Sequence, residues 1–227
     1  MMKDRGVVGL LACALLALVG CSGGEPKLAF GAQPGSTLAG ELLAPVVVEL
    51  QDGDGKALDA PATVTLKRVG EGASLQGTLR VQASGGKATF SDLWVDGGAS
   101  ALVLEASVEG LEETVAPLQS EAFDVEAVKL RFVGVREAYR ADLPLDAFRV
   151  ELVSAKDERV LAVQRPVTLG VGNNPTGAVL AGAQVTAVAG AATFEALRMD
   201  RAGQGYTLVA SARGAASAPR SRRGRRW

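Results

Sequence analysis

The sequence contains an internal repeat about 100 residues long, and this repeat constrains the fold more than any other feature. The octapeptide GKATFSDL at residues 86–93 returns 104 positions later as GAATFEAL at residues 190–197. The segments VVVEL and FRVEL, which end at Leu50 and Leu152, recur at a similar spacing. Solenoid repeats are about 20 to 50 residues long, whereas a unit near 100 residues is a whole domain. We therefore expect a duplicated domain.

Apolar and polar residues alternate within each unit, as in strands that bury one face. In the first unit Val46, Val48 and Leu50 share one side, and the segment FRVEL keeps the same phase in the second unit. Because a one-residue slip would invert every side chain, the shared phase indicates two packed sheets. Glycine- and proline-rich turn signals separate these segments at intervals of roughly ten residues. The sequence predicts an all-β chain of two tandem immunoglobulin-like β-sandwich domains.

The repeat also resembles a known family. The segments LAFGAQPGSTLAGELLAPVVVELQDGDGK, GKATFSDLWVD and LVLEASVEG resemble the bacterial immunoglobulin-like (Big-type) domains found in tandem on surface proteins and adhesins. The second unit, with AATFEALRMDRAGQGYTLVASARG, resembles the same pattern, although its first half lacks the QPG turn. The resemblance implies a strand-and-turn scaffold and transfers no catalytic residue.

The amino terminus has the features of a lipoprotein signal peptide. A positively charged start precedes the apolar run GVVGLLACALLALVG, which is shorter than the roughly 20 residues of a membrane-spanning helix. The sequence LVGC at residues 18–21 resembles a bacterial lipobox, in which the signal is cut before Cys21 and its thiol is acylated. The alternative is an ordinary signal peptide in which this cysteine is incidental. Ser22 stands where enterobacterial inner-membrane lipoproteins carry aspartate, so the resemblance implies the outer membrane of a bacterial envelope.

Cysteine usage agrees with this interpretation. Cys13 would leave with the signal peptide and Cys21 would carry lipid, so no thiol would remain for a disulfide. The exported domains are therefore expected to depend on packing alone. The predicted boundaries are residues 1–20 for the signal peptide, 21–27 for a lipidated tether, 28–126 and 128–218 for the two domains, and 219–227 for a basic tail.

The two units differ at their ends. The first closes with SEAFDVEAV, where Phe123 and Val125 are expected to form the last strand, whereas the second runs through AASAP into RSRRGRRW. The second domain is therefore predicted to lack its last strand.

The basic tail allows three interpretations. It is a patch that binds anionic lipid, polysaccharide or nucleic acid, a solvated and disordered end, or the product of a shifted reading frame or truncated gene. Without the tail and the leader, the chain has 17 basic and 24 acidic residues, so no nucleic-acid partner is expected. The arginines of the tail are Arg220, Arg222, Arg223, Arg225 and Arg226.

Few residues suggest chemistry. Histidine, the usual general base and metal ligand, is absent from the sequence. The Ser-x-x-Lys pattern at residues 84–87 precedes a strand and lacks the companion motifs of penicillin-recognising enzymes, which indicates a turn. Asp52 and Asp54 alternate with glycines in QDGDGK, as in calcium-binding loops. Because the second unit has Ser154 and Lys156 at these positions, a turn is preferred and neither a metal nor a cofactor is expected.

Trp94 is a candidate ligand contact. It aligns with Arg198 in the second unit, so its site tolerates charge and is expected to face water at least in part. An exposed tryptophan can stack on a sugar or anchor a protein partner. The alternative is a solitary exposed aromatic residue without a function.

These observations predict a non-enzymatic, lipid-anchored envelope protein. It is expected to act as a surface spacer, or as an adhesion or protein-interaction module through its loops or an edge strand. The alternative is a structural or enzyme-accessory envelope lipoprotein that binds glycan or presents a partner. The predicted partners are the membrane, through the lipid, and a protein or glycan.

Overall fold

The structure is a computed structural model that describes residues 25–111, 114–136 and 144–219. The predicted signal peptide, Cys21 and the five tail arginines lie outside the described residues. Within these ranges the regular secondary structure is β-strand. No helix there is long and apolar enough to cross a membrane.

The strands of the two units follow one another along the chain. In the first unit they are β1 (Lys27–Ala32), β2 (Thr37–Leu38), β3 (Val46–Gln51), β4 (Thr63–Arg68), β5 (Leu75–Gln76), β6 (Arg80–Gln82), β7 (Lys87–Phe90), β8 (Trp94–Val95), β9 (Ala99–Leu102), β10 (Leu104–Glu109), β11 (Leu118–Gln119) and β12 (Phe123–Glu126). In the second unit they are β13 (Val128–Val133), β14 (Phe148–Val153), β15 (Pro166–Val171), β16 (Leu180–Ala181), β17 (Gln184–Thr186), β18 (Ala191–Phe194), β19 (Arg198–Met199), β20 (Leu208–Ala212) and β21 (Ala215–Pro219).

The first unit is a sandwich of two main antiparallel sheets. One sheet has the order β1-β3-β7 and the other the order β11-β10-β4-β6. Two smaller sheets have the orders β2-β12-β9 and β5-β8, and in the first of them β12 pairs in parallel with β2 at Val125 and Thr37. This division of consecutive strands between two facing sheets is the immunoglobulin-like arrangement. The predicted fold class is therefore confirmed.

In the second unit seven strands are joined into one sheet of order β17-β15-β20-β21-β13-β14-β18, and β16 and β19 form a separate two-stranded sheet. Strand β21 connects the two halves because it pairs antiparallel with β20 and parallel with β13. The prediction that this unit lacks its last strand stays a prediction, because β21 pairs with β20 at the positions where β11 pairs with β10, and the residues after Pro219 lie outside the described residues. A two-residue turn, Arg213 and Gly214, connects β20 to β21. Strand β21 consists of alanine, serine and proline, without large apolar side chains such as Phe123 and Val125 of β12.

The buried apolar residues form two clusters, one in each unit. Val46, Val48 and Leu50 are fully buried, and so are Val150 and Leu152 at the matching positions of β14. The predicted phase of these strands is confirmed. Each sandwich thus has its own core, which is the condition for an independently packed domain.

The repeated octapeptide has the same structural role in both units. Gly86 and Gly190 adopt left-handed backbone angles, with φ of 74° and 71°. Their carbonyl oxygens accept hydrogen bonds of 2.8 and 2.9 Å from the N–H groups of Leu50 and Leu152. The octapeptide therefore links a left-handed turn to a strand that fills the core. Its buried members are Ala88, Phe90 and Leu93 in the first unit and Ala192, Phe194 and Leu197 in the second.

Candidate functional site at the domain junction

The two sandwiches meet around a buried arginine. Arg165 directly precedes β15 and is only 2% exposed. Its Nη1 donates to the carbonyl oxygen of Ala39 at 2.8 Å and to that of Arg213, and its Nη2 donates to Oε1 of Glu41 at 2.7 Å. Ala39 and Glu41 belong to the first unit, whereas Arg213 belongs to the second. One guanidinium therefore binds both domains.

Burial makes the Arg165 guanidinium sensitive to the loss of its partner Glu41, whose own side chain is 34% exposed. Desolvation lowers the pKa of the Arg165 guanidinium, and the carboxylate of Glu41 opposes that shift by favouring the charged form. Within the described part of the chain, Nε of Arg165 has no hydrogen-bond acceptor. A buried charge that loses its partner is strongly unfavourable. The junction is therefore held in the geometry that keeps Glu41 and the two carbonyl oxygens around the guanidinium.

The backbones of the two units touch beside this arginine. A Cβ at Gly214 would lie 2.2 Å from the backbone nitrogen of Gly40, and a Cβ at Gly40 would lie 2.3 Å from the carbonyl oxygen of Arg213. Both glycines also have positive φ values, 66° and 79°. A side chain at either position would separate the domains, so the close approach requires glycine.

The linker between the domains is a single residue. Ala127 joins the end of β12 to the start of β13, and a Cβ at Gly98 would lie 2.6 Å from the Cβ of Ala127. A crevice of about 430 Å³ adjoins the linker, and most of the residues that line it are glycine or alanine, together with Asp96, Val128 and Lys129. The short connection leaves little freedom between the units.

Trp94 lies at this junction. It is half-buried in β8, and the guanidinium carbon of Arg213 lies 5.4 Å from the centroid of its ring. Such a cation over an aromatic face is attracted by the ring quadrupole. Arg198, its counterpart, is exposed in β19 of the second unit. The ligand contact proposed at Trp94 stays a prediction. One face of its ring is already covered by the guanidinium of Arg213 from the second unit.

Asp52 and Asp54 lie in a tight turn after β3. Oδ1 of Asp52 accepts hydrogen bonds from the N–H groups of Asp54 and Lys56, at 3.0 and 2.9 Å. In the second unit the hydroxyl of Ser154 accepts the bond from Lys156 N–H at 3.2 Å. Among the described residues, no group of three or more His, Cys, Asp or Glu side chains could hold a metal ion. A turn held by the Asp52 carboxylate accounts for the QDGDGK motif.

The carboxylate of Glu151 is nearly buried on the outer face of β14. Oε2 of Glu151 lies 2.7 Å from Nη2 of Arg131, and Oε1 lies 3.1 Å from Nε of Arg149. The hydrogen bond from Arg131 lowers the pKa of the Glu151 carboxyl, and nearby guanidinium charge adds to this effect. In the first unit the matching residue, Glu49, is paired with Lys87 at 2.8 Å. The pairs of Glu151 with Arg131 and of Glu49 with Lys87 connect neighbouring strands, whereas Arg149 and Glu151 lie in the same strand.

Arg165 is not among the functional residues predicted from the sequence. Its segment QRPVTL aligns with PATVTL of the first unit, where the buried Ala62 takes its place. The sequence offers one signal for it, which is a charged residue at a position where the other unit has an apolar residue. Its partner Glu41 is 124 residues away in sequence, and no local pattern connects the two.

No protein-family model matches the chain, and no curated protein sequence matches it. Similar solved structures include the D0–D1 domains of intimin, with 14% identity, a TM-score of 0.31 and coverage of 87% of this chain and 97% of that chain. Domains 5–6 of the S-layer protein SbsC have 11% identity, a TM-score of 0.30 and coverage of 86% and 95%. The β-glucuronidase of Parabacteroides merdae has 12% identity and a TM-score of 0.31 over 86% of this chain, which spans 24% of the glucuronidase. The fold assignment rests on the strand order described above.

Proposed function

We propose that the chain is a non-enzymatic spacer and interaction module of a bacterial cell envelope, tethered to a membrane through a lipid on Cys21. The observation that carries this proposal is the Arg165 bridge, through which one buried side chain of the second domain binds Ala39 and Glu41 of the first. A spacer holds a binding surface at a set distance only if its domains keep their relative orientation. The junction supplies that restraint.

The other features of the junction support the same role. Domains joined by a flexible linker move relative to one another unless their interface is extensive. Here the linker is Ala127 alone, and the backbones of Gly40 and Gly214 are in contact. The bridge, the linker and the glycine contact act on different segments of each domain, so together they restrain rotation as well as bending.

The charged side chains also favour a structural role. Several of the acidic residues in the sheets are paired across strands, including Glu49 with Lys87, Glu105 with Lys67 and Glu151 with Arg131. Such cross-strand pairs stabilise a sheet and leave these carboxylates occupied. These ion pairs therefore support the proposal that the two domains are a structural scaffold.

The stiffness of the junction can be measured by pulsed electron paramagnetic resonance on the full chain. Exposed Thr89 and Thr193 are replaced by cysteine and spin-labelled, and the labelled chain is diluted with unlabelled chain so that only intramolecular distances count. We expect one narrow distance distribution, which broadens in Arg165→Ala because the bridge between the domains is lost.

The matched control is Arg80→Ala, which removes an exposed arginine paired with Glu109 inside the first domain. This variant should keep the narrow distribution. A broad distribution in the unaltered chain, or no change in Arg165→Ala, would contradict the proposal. The chain without added cysteines should take up no label, which checks that its own thiols do not react.

A further inference from the structure

Strand β12 closes the core of the first unit. Its Phe123 and Val125 are 5% and 3% exposed and belong to the buried apolar cluster of that unit. Phe123 lies opposite Leu102 of β9, which pairs antiparallel with β12. Between the two apolar residues, exposed Asp124 accepts a hydrogen bond of 2.9 Å from the N–H of Ala101 in β9. The last strand thus directs large apolar side chains inward and a carboxylate outward.

The described part of the second unit contains no counterpart of β12. In β21, Ala218 lies opposite Ala210, just as Leu118 of β11 lies opposite Ala106 of β10. In the first unit β11 ends at Gln119 and β12 begins only at Phe123. The residues that would follow β21 at the same spacing come after Pro219, where the described residues end.

The segment that would pair with such a strand is present at residues 203–206, the counterpart of β9. It precedes β20 as β9 precedes β10, and Leu208 lies opposite Val171 as Leu104 lies opposite Arg68. Ala101 of β9 and Gly205 both have left-handed backbone angles, with φ of 50° and 80°. Residues 203–206 pair with no strand among the described residues. Their backbone groups are therefore a template for strand addition.

The core of the second unit is also more open on this side. Three positions that are buried in the first unit are half-buried in the second. The buried residues are Leu75, Val95 and Leu102, which belong to one cluster with Phe123 and Val125, and their counterparts are Leu180, Met199 and Tyr206.

The half-buried residues adjoin the unpaired segment. Leu180 and Met199 lie opposite each other in a two-stranded sheet. The hydroxyl of Tyr206 donates to the carbonyl oxygen of Arg201, two residues after Met199, at 3.2 Å. We call residues 203–206, Leu180 and Met199 the strand slot. It is the part of the second unit that matches the surroundings of β12 in the first.

The basic tail is a poor occupant of the strand slot. With the spacing of the first unit, Arg223 and Arg225 fall at the positions of Phe123 and Val125. Burying a guanidinium without a partner is strongly unfavourable. Gly224 falls between them and offers no carboxylate to the slot. An apolar strand at this position is therefore expected from another polypeptide.

The tail nevertheless gives the strand slot a charge preference. Residues 220–227 include five arginines and no acidic residue, and they follow directly on Pro219. Beside the slot, Arg201 is exposed, and Asp200 is engaged by the N–H of Val179 at 2.6 Å. Positive charge next to a binding edge favours an acidic partner. Strand β12 has this chemistry, because the segment EAFDVE at residues 121–126 carries three acidic residues.

We propose that the strand slot binds an extended acidic segment of another polypeptide, which is added as the last strand of the second domain. The segment has large apolar side chains at alternating positions and acidic side chains between them. Strand addition gives affinity through main-chain hydrogen bonds and specificity through alternate side chains. This inference rests on the proposed function, because it names the class of partner that the interaction module binds.

A peptide with the sequence of residues 120–128, SEAFDVEAV, is the probe. Binding of the fluorescently labelled peptide to the full chain is measured by anisotropy. We expect saturable binding with one peptide per chain. The same peptide with Phe123→Ser and Val125→Ser should bind at least about tenfold more weakly, because it buries less apolar surface. No binding, or equal binding of the serine peptide, would overturn the proposal.

Photocrosslinking locates the bound peptide. A benzophenone amino acid replaces exposed Gln204 in the strand slot. The matched control carries it at exposed Ser100, the counterpart in β9, where β12 already occupies the edge. We expect a covalent peptide adduct from residue 204 and none from residue 100. Adducts of equal yield from the two positions would contradict binding at the strand slot.

Replacing the five tail arginines by serine tests both the charge preference and the tail as occupant. We expect the peptide to bind about tenfold more weakly, with less dependence on salt, because the charge attraction is lost. Unchanged or tighter binding would overturn the proposal, and tighter binding would assign the strand slot to the tail. Narrow spin-label distances in a chain that binds no peptide would overturn this inference and leave the spacer proposal intact.

Discussion

At the scale of single residues, one difference between the repeats creates the junction. Arg165 occupies the position of Ala62, and its guanidinium is surrounded by two carbonyl oxygens and the Glu41 carboxylate. Removing the partner of a buried charge costs about 3–5 kcal/mol, which here applies to the loss of Glu41, because Arg165 is buried while the Glu41 side chain is 34% exposed. The same interaction restricts which domain can follow the first. A domain with alanine at the position of Arg165, as the first unit has at Ala62, would leave Glu41 without this partner.

The Glu151 pair predicts how stability depends on pH. Because hydrogen bonding from Arg131 lowers the folded-state pKa of Glu151 below its unfolded value of about 4.3, its contribution is complete above that value. The contribution is lost as the pH falls through the folded-state pKa. We expect Arg131→Gln to reduce the free energy of unfolding at pH 7 and to flatten its decrease below pH 5, as measured by urea denaturation from pH 7 to pH 3.

Arg80→Gln is the control for this experiment, because Arg80 pairs with Glu109 on an exposed surface. Exposed pairs contribute about 0–1 kcal/mol. An Arg131→Gln profile parallel to that of the parent at every pH would refute the assigned role of Glu151.

Among single residues, the sequence predicted positions better than roles. The burial of Leu50 and Leu152 follows from alternation, which is a local property. The interaction of Arg165 with Glu41 depends on how two domains dock, and docking has no local signature. Trp94 was predicted to face water in part and is half-buried, but the arginine over its ring comes from the other domain.

At the scale of elements, the turn before β18 depends on Gly190. Gly190→Ala should lower the free energy of unfolding by at least about 1–2 kcal/mol, the cost of a left-handed residue with a Cβ. The cost should be higher here because that Cβ meets the carbonyl oxygen of Val160 at 2.3 Å. Equilibrium chemical denaturation measures the difference.

Gly170→Ala in β15 is the matched control. No atom lies within 4 Å of the Cβ position of Gly170, so this change should leave stability the same or slightly raise it. Equal losses in the two variants would show that the turn geometry at Gly190 is not the cause.

Strands with large apolar residues were predictable, and the strand without them was not. The sequence VVVEL shows its phase through Val46 and Val48, both fully buried in β3. Strand β21, by contrast, consists of alanine, serine and proline, and its place is set by pairing with β13 and β20. Periodicity reports side-chain burial, so it misses a strand that is held mainly by its backbone hydrogen bonds.

At the scale of the whole molecule, the proposed function requires attachment at one end. If Cys21 is acylated, the chain should sediment with the membrane fraction, and its intact mass should show residues 1–20 removed and acyl groups added. Each buried CH₂ of an acyl chain contributes about 0.8 kcal/mol to membrane binding. Cys21→Ser should therefore release the chain from membranes, whereas Cys13→Ser should leave attachment unchanged. An unmodified cysteine in membrane-bound chain would contradict the lipid anchor.

The parallel pairing of β2 with β12 has a mechanical consequence for a tethered protein. The chain enters the first domain through β1, which pairs with β3, continues into β2 and leaves through β12. Strands β2 and β12 are joined at Thr37 and Val125 and at Leu38 and Glu126. A pull between the amino terminus and the second domain would act first on β1, and it would then slide β2 past β12, so that their hydrogen bonds would bear the load together. Beyond β12 the load passes to Ala127 and to the Arg165 bridge side by side. If the chain is anchored at its amino terminus, the β2–β12 pairing is therefore expected to resist tension along the line from the anchor to the second domain.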